Sequence, residues 1–243
     1  RPIRADLLLT HTHLDHILGI PFFGPIYMPN TQLRIYGPLT CEDESLETVL
    51  GGQLSYRYFP VRQAELAAQI EYIDLKEASF DLGEGIRVTT KYLNHPLLCF
   101  GYRIEYDGHI FCTAYDTEPF FNFFSTDPSD PDYDEALAQE GELAANLGNS
   151  SMEEFVAGSD LLVYDGQYTR HEYDCGKIGW GHTPMEYAID LARRSQIGKL
   201  VLIHHDPMRT DVQLDALADI LCNPRNGGDT QIFFAREGMV MEV

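Results

Sequence analysis

Three histidines and an aspartate fall within six residues, at His11, His13, Asp15 and His16, inside the stretch LLLTHTHLDHILGI from Leu7 to Ile20. Imidazole nitrogens and carboxylate oxygens are the donors from which proteins build sites for divalent transition metals. Two blander accounts are weaker. With 9 histidines in 243 residues, these spacings arise by chance in roughly one chain in a hundred of this composition. A purely structural cluster would leave three imidazoles and a carboxylate at an apolar strand end, each needing a hydrogen-bond partner to offset its lost hydration. A metal site satisfies all four together.

Four more groups of the same chemistry follow apolar runs. His95 comes after a run ending at Leu93, Asp116 after HIFCTAY, Asp165 after LLVY, and His204 after KLVLI. Each has a bland reading by itself: His95 before Pro96 as a turn residue, Asp116 and Asp165 as turn caps, His204 as a core histidine. As a set they resemble α/β proteins, which build sites where strands emerge from a sheet. If these strand ends share one rim, the groups converge.

The elements that would position them read as alternating strands and helices. Strands are expected at Ala5–Thr10 (buried), Gln32–Tyr36, Arg87–Leu93, Gly101–Tyr106, His109–Tyr115, Leu161–Tyr164, Lys199–His204, Gln231–Ala235 and Met239–Val243, with Asp107-Gly108 turning a hairpin. Short helices are expected at Glu44–Leu50 and Arg62–Gln69. Asp134–Leu147 and Met152–Ala157 read as two helices, each stopped by a glycine. Thr183-Pro184-Met185-Glu186 has the form of a capped helix start, with the helix running to about Gln196. A mixed α/β fold follows, arranged as a single domain over 1–243 with an acidic insertion at about 118–158.

HTHLDH at 11–16 resembles the HxHxDH signature of the metallo-β-lactamase superfamily. NHP at 94–96, AYDT at 114–117 and LIHHDP at 202–207 follow in that superfamily's order. The resemblance covers nearly the whole chain. It implies an αββα sandwich with a two-metal site at one edge, in which His11, His13 and His95 hold one ion, Asp15, His16 and His204 the other, and Asp116 bridges them. His205 is the weaker ligand candidate beside His204. Only ten residues precede HTHLDH, where members carry several strands, so a first sheet short of its N-terminal strands is expected. LLVYDGQYTRHEYDCGKIGWGHTP further resembles the ribonuclease Z-like and cyclic-phosphodiesterase branch, in which a strand-end acid pairs with a histidine of a GH[ST] motif. Here these are Asp165 and His182. The bland alternative makes His182 only the neighbour of a helix cap, and Trp180, the one tryptophan, reads as a packing residue.

Five imidazoles and two carboxylates suit a borderline ion such as Zn²⁺, with Mn²⁺ or Fe open, and suit neither Ca²⁺ nor Mg²⁺, which prefer oxygen shells. Two such ions about 3.5–4 Å apart can share a hydroxide nucleophile and clamp the oxygens of an ester or phosphodiester. Hydrolysis is therefore the expected reaction, with Asp165 and His182 as proton carriers and Asp15 counted with them at the reacting centre.

Composition narrows the substrate. The net charge of −21, with 17 Lys and Arg against 38 Asp and Glu, disfavours a protein that grips extended nucleic acid through its phosphates. Nothing resembles the basic arm that grips transfer RNA in ribonuclease Z. Much of the acidity is local: Asp127–Leu143 holds seven carboxylates and reads as a solvated loop entering an acidic surface helix. The expected partner is a small anionic substrate, above all a cyclic-nucleotide or other small phosphodiester, with a homodimer left open. A carboxylic ester or lactone hydrolase is the alternative within enzymes, and a non-catalytic metal-binding or ligand-sensing domain of a larger regulatory protein the alternative outside them. No apolar run approaches the roughly 20 residues that span a bilayer. Cys41, Cys99, Cys112, Cys175 and Cys222 are odd in number and lack a CxxC pair, which reads as reduced core thiols in a cytoplasmic protein.

Overall fold

The computed structural model describes residues 2–39, 44–223 and 228–243. The chain forms two compact units: residues 1–79, 90–92 and 97–101 make the first, and 80–89, 93–96 and 102–243 the second.

The first unit carries a three-stranded sheet, β1 (Ile3–Leu8), β2 (Thr31–Pro38) and β3 (Gln69–Leu75), paired in that order and parallel throughout. Period-two alternation along β2 sends Leu33 and Ile35 into a core with Leu9, Ile17, Ile26, Leu46 and Leu50. On the other face of the β1–β2 pair, Asp6 stands opposite Arg34 and accepts from its guanidinium at 2.5 and 2.9 Å. β1 is more exposed than the buried strand expected there. The core is closed by α1 (Leu14–Ile17) and α2 (Leu46–Gly52), the latter capped by Ser45, whose hydroxyl accepts from Thr48 N–H. The helix expected over Arg62–Gln69 shrinks to a 3₁₀ turn at Gln63–Glu65, and β3 begins at Gln69.

A seven-stranded sheet runs in the order β10-β9-β8-β7-β6-β5-β4. Its strands are β4 (Ser79–Gly83), β5 (Ile86–Tyr92), β6 (Phe100–Tyr106), β7 (His109–Ala114), β8 (Leu161–Asp165), β9 (Lys199–Ile203) and β10 (Gln231–Phe234). β6 and β7 form the expected hairpin, turning through Asp107 and Gly108, both at positive φ as a type I′ turn requires. β7, β8, β9 and β10 are successive parallel neighbours. The cores of β8 and β9 read as unbroken apolar runs because strands of a covered parallel sheet are buried on both faces. Met239–Val243, expected as a closing strand, forms none.

The helices of the second unit are α3 (Glu135–Val156), α4 (Arg170–Asp174), α5 (Met185–Arg194) and α6 (Asp211–Leu221). α3 is one helix of 22 residues where two were expected. Gly148 does not stop it: a Cβ there would lie 2.5 Å from Cγ of Phe120, so the glycine serves close packing inside the helix. α5 starts after Pro184, and the expected cap at Thr183 is absent because its hydroxyl donates to the Thr117 carbonyl at 2.5 Å. The Glu186 carboxylate accepts from Arg170 N–H instead of closing a capping box.

The cysteine expectation is corrected in part. Cys99 and Cys112 are buried, Cys222 is half-buried and Cys175 is exposed, all as free thiols; Cys41 lies outside the described residues. Among those residues no helix is long and apolar enough to cross a membrane.

Candidate metal centre

In the first unit, the chain leaves β1 and makes a short bend before α1. Leu9 N–H donates to the Tyr36 carbonyl at 2.8 Å and Phe100 N–H to the Thr10 carbonyl at 2.9 Å, so the bend is held on both sides. His11 is buried, with Nδ1 3.1 Å from the Thr10 hydroxyl and 3.6 Å from Cys99 Sγ. Those partners orient Nε2 toward His13, whose Nδ1 is 2.9 Å away. Two ring nitrogens at that distance need either a shared proton or a cation drawing on both lone pairs. The rings of His11 and His16 are 4.4 Å apart, and His16 Nε2 is 3.3 Å from a carboxylate oxygen of Asp15. All four residues of the HTHLDH stretch that carry donor atoms thus gather at one end of the first sheet.

The second unit collects the other donors by register. β7, β8 and β9 are parallel and in step: Ala114 pairs with Tyr164, Tyr164 with Leu202, and Asp165 with Ile203. The three strands therefore end level, and Asp116, Asp165 and His204 leave the sheet at one rim. Asp116 Oδ2 is 3.6 Å from His204 Nε2. His204 is at φ +58°, a left-handed conformation that costs a non-glycine residue about 1–2 kcal/mol. His205 turns away, stacking on Phe234 with centroids 5.3 Å apart, and burial lowers its pKa.

His182 arrives from the loop before α5. Its Nδ1 is 2.8 Å from Asp165 Oδ2, and its ring stacks on that of His204 at 4.7 Å and 9°. Asp165 is fully buried; Thr117 N–H donates to its Oδ2 at 3.3 Å and Gln167 N–H to its Oδ1 at 3.0 Å. Burial pushes the Asp165 carboxyl well above the usual carboxylate range, with His204 pulling it back, Asp116 adding to the rise and the two backbone donors opposing it. Asp165, His182 and His204 offer donor atoms within 4.8 Å of one another. His95 follows β5, its ring 5.5 Å from that of His182. A carbonyl can only accept, so the 3.1 Å contact between His95 Nδ1 and the Gly181 oxygen places the proton on Nδ1 and the lone pair on Nε2, the tautomer a metal ligand needs.

Each unit therefore presents its own cluster: His11, His13, Asp15 and His16 in the first, His95, Asp116, Asp165, His182 and His204 in the second. Both are built of imidazoles and carboxylates, a donor set that fits borderline divalent ions. Trp180 does not pack as expected; it is 55% exposed, with the Lys177 ammonium 3.5 Å over its ring. Sequence reasoning also passes over Glu118, a buried carboxylate at the start of the stretch read as an acidic insertion. Its one local signal is its position two residues after Asp116, at a strand exit.

No family model matches the chain. It is similar to the ribonuclease Z of Lactococcus lactis, 26% identical over 229 residues that cover 82% of this chain and 70% of that protein. Its fold is shared by solved structures, among them the following three. The metallo-β-lactamase fold protein YhfI of Bacillus subtilis has a TM-score of 0.63 at 18% identity, covering 98% of this chain and 77% of that one. A diphosphatase of the PhnP family has a TM-score of 0.60 at 16% identity, covering 99% and 72%. The short form of human tRNase Z has a TM-score of 0.60 at 18% identity, covering 98% and 78%.

Proposed function

We propose that the chain, which is similar in sequence to ribonuclease Z and shares the metallo-β-lactamase fold, is a metal-dependent hydrolase of the ribonuclease Z-like branch, and within it a dimetal phosphodiesterase acting on a small phosphodiester such as a cyclic nucleotide. The proposed ligands are His11, His13 and His95 for one ion and Asp15, His16 and His204 for the other, with Asp116 shared. Zn²⁺ is the proposed metal, on the strength of the imidazole-rich donor set. When bound, the pair of ions would supply an activated water and neutralise charge on the phosphoryl oxygens.

The observation that carries the reading is the Asp165–His182 contact. A buried acid holding an imidazole through Nδ1 leaves Nε2 as the atom that delivers a proton to a leaving oxygen, and a positioned acid matters most when that oxygen is a poorly leaving alkoxide. Asp165 keeps the ring in one orientation, while stacking on His204 limits its rotation. A small substrate is favoured over extended RNA by the net charge of −21, which repels a polyanion beyond the immediate surroundings of the metals.

The deciding experiment is a substrate panel with metal-replete protein. We expect metal-dependent cleavage of bis-p-nitrophenyl phosphate and of cyclic nucleotides, little action on phosphomonoesters, and none on β-lactams. Efficient turnover of lactones or β-lactams with every phosphodiester intact would overturn the assignment.

A further inference from the structure

Glu118 is 4% exposed, and its carboxylate accepts three hydrogen bonds. Oε2 accepts from the Tyr173 hydroxyl at 2.9 Å and from Gly179 N–H at 2.9 Å, while Oε1 accepts from Gly181 N–H at 3.0 Å. One carboxylate thus holds two amides of the loop that delivers His182. Its own backbone is tied to the other side of the rim: Glu118 N–H donates to the Asn94 carbonyl at 2.9 Å, and the Asn94 amide donates to the Pro119 carbonyl at 3.1 Å.

Gly181 joins the two sides. Its N–H goes to Glu118, its carbonyl receives His95 Nδ1, and the next residue is His182. It is at φ +83°, and a Cβ would clash with the His95 ring and lie 2.5 Å from Pro96 Cδ. Only glycine allows this approach. The peptide groups on both sides of Gly181 are therefore held in place, one by a carboxylate and one by an imidazole. Charge-assisted hydrogen bonds to backbone N–H are stronger than neutral ones, and such partners orient the groups behind them.

We propose that Glu118 is a positioning residue that sets two imidazoles at once, His95 and His182, by fixing the Gly181 peptide between them. The functional meaning of that control rests on the phosphodiesterase reading above; the mechanical link does not. Tyr173 is the third partner of the carboxylate but touches neither histidine through it, so its hydroxyl is expendable.

E118Q is nearly isosteric and tests the link. A side-chain amide has a single acceptor oxygen, so either way round it sets its NH₂ against one of the two glycine N–H groups. Amide hydrogen exchange on the purified protein should then quicken at least about tenfold at Gly179 or Gly181, with the Leu162 amide in β8 unchanged. Y173F should leave both glycines protected. On an alkyl phosphodiester E118Q should lower kcat about 10–100-fold at similar KM, and zinc affinity should weaken through His95. With zinc saturating, so that the effect through His95 is masked, E118Q combined with H182A should add less than about twofold to the loss in kcat, because the two then act on one step.

Unchanged exchange at both glycines would overturn the proposal, as would a double variant whose losses multiply in full. If the parent protein cleaves no phosphodiester, the functional reading falls while exchange and zinc affinity still decide for or against Glu118. Should E118Q not fold, E118D keeps the charge with a shorter reach and faces the same exchange measurement.

Discussion

An alkoxide leaves a phosphodiester slowly unless a proton reaches it, whereas p-nitrophenolate needs no such help near neutral pH. If His182 delivers that proton, His182→Ala should cost about 10²–10⁴-fold with a cyclic nucleotide and far less with the nitrophenyl diester, at unchanged metal content. Uniform loss on both substrates would point to weaker binding instead, since it would not track leaving-group acidity. The neighbouring acids separate by role in the same way. Asp116, proposed as the bridging carboxylate, is 3.6 Å from His204; Asp116→Ala should lower metal content and activity together. Asp165 is engaged by His182 and two backbone amides, so Asp165→Asn should retain both ions by elemental analysis while losing activity. An Asp165→Asn protein that held only half its metal would make Asp165 a ligand. As candidates these residues were all legible in the chain, because the side chains able to do metal and proton chemistry are few and the strand exits that carry Asp116 and Asp165 are marked by apolar runs.

At the scale of elements, two glycines of α3 show where a sequence pattern misleads. Glycine in a helix interior is ordinarily worth about 1 kcal/mol less than alanine, so replacing Gly148 would look like an improvement. Its Cβ would fall 2.5 Å from Cγ of Phe120, and Gly141 faces Asn122 and Phe124 on the same segment. Phe120 is itself tied to the helix, donating its N–H to Asn149 Oδ1 at 2.9 Å. Gly148→Ala should therefore lower the melting temperature, by at least about 2 °C if overpacking costs 1 kcal/mol or more. Gly52→Ala, with nothing within 4 Å of the new methyl, should leave it unchanged or raise it. A higher melting temperature for Gly148→Ala would show that Phe120 moves aside freely. β3 and β4 escaped sequence reasoning for different reasons: SFDLG has no β-branched residue to signal a strand, while QIEYIDL, though it holds Ile70, Tyr72 and Ile73, begins where the expected helix over Arg62–Gln69 ends.

For the molecule as a whole, a net charge of −21 makes the described fold a self-repelling object. Divalent ions at the proposed centre would offset part of that charge and, by binding the folded chain alone, stabilise it by about 2.7 kcal/mol at a concentration a hundredfold above Kd. We expect two transition-metal ions per chain by elemental analysis. Chelation should lower the melting temperature, and Zn²⁺ or Mn²⁺ should restore it where Ca²⁺ does not. A stoichiometry near zero, or recovery with Ca²⁺ alone, would refute the donor-set argument.

What the sequence determined by itself is which donor residues stand where along the chain: the HTHLDH cluster, the strand-end acids and histidines, the Asp107-Gly108 hairpin and the Asp165–His182 contact. Each depends on residue type within a short window, or on a motif that resembles one of a known family. Only the tertiary structure decided that Thr183 donates to Thr117 across 66 residues instead of capping α5, that α3 runs through Gly148, and that Glu118 holds Gly181 across 63 residues. Hydroxyls, glycines and carboxylates of these types have many local uses that look alike in sequence. Which use prevails is set by the partner that folding brings within hydrogen-bond or van der Waals reach, and that partner is distant in the chain.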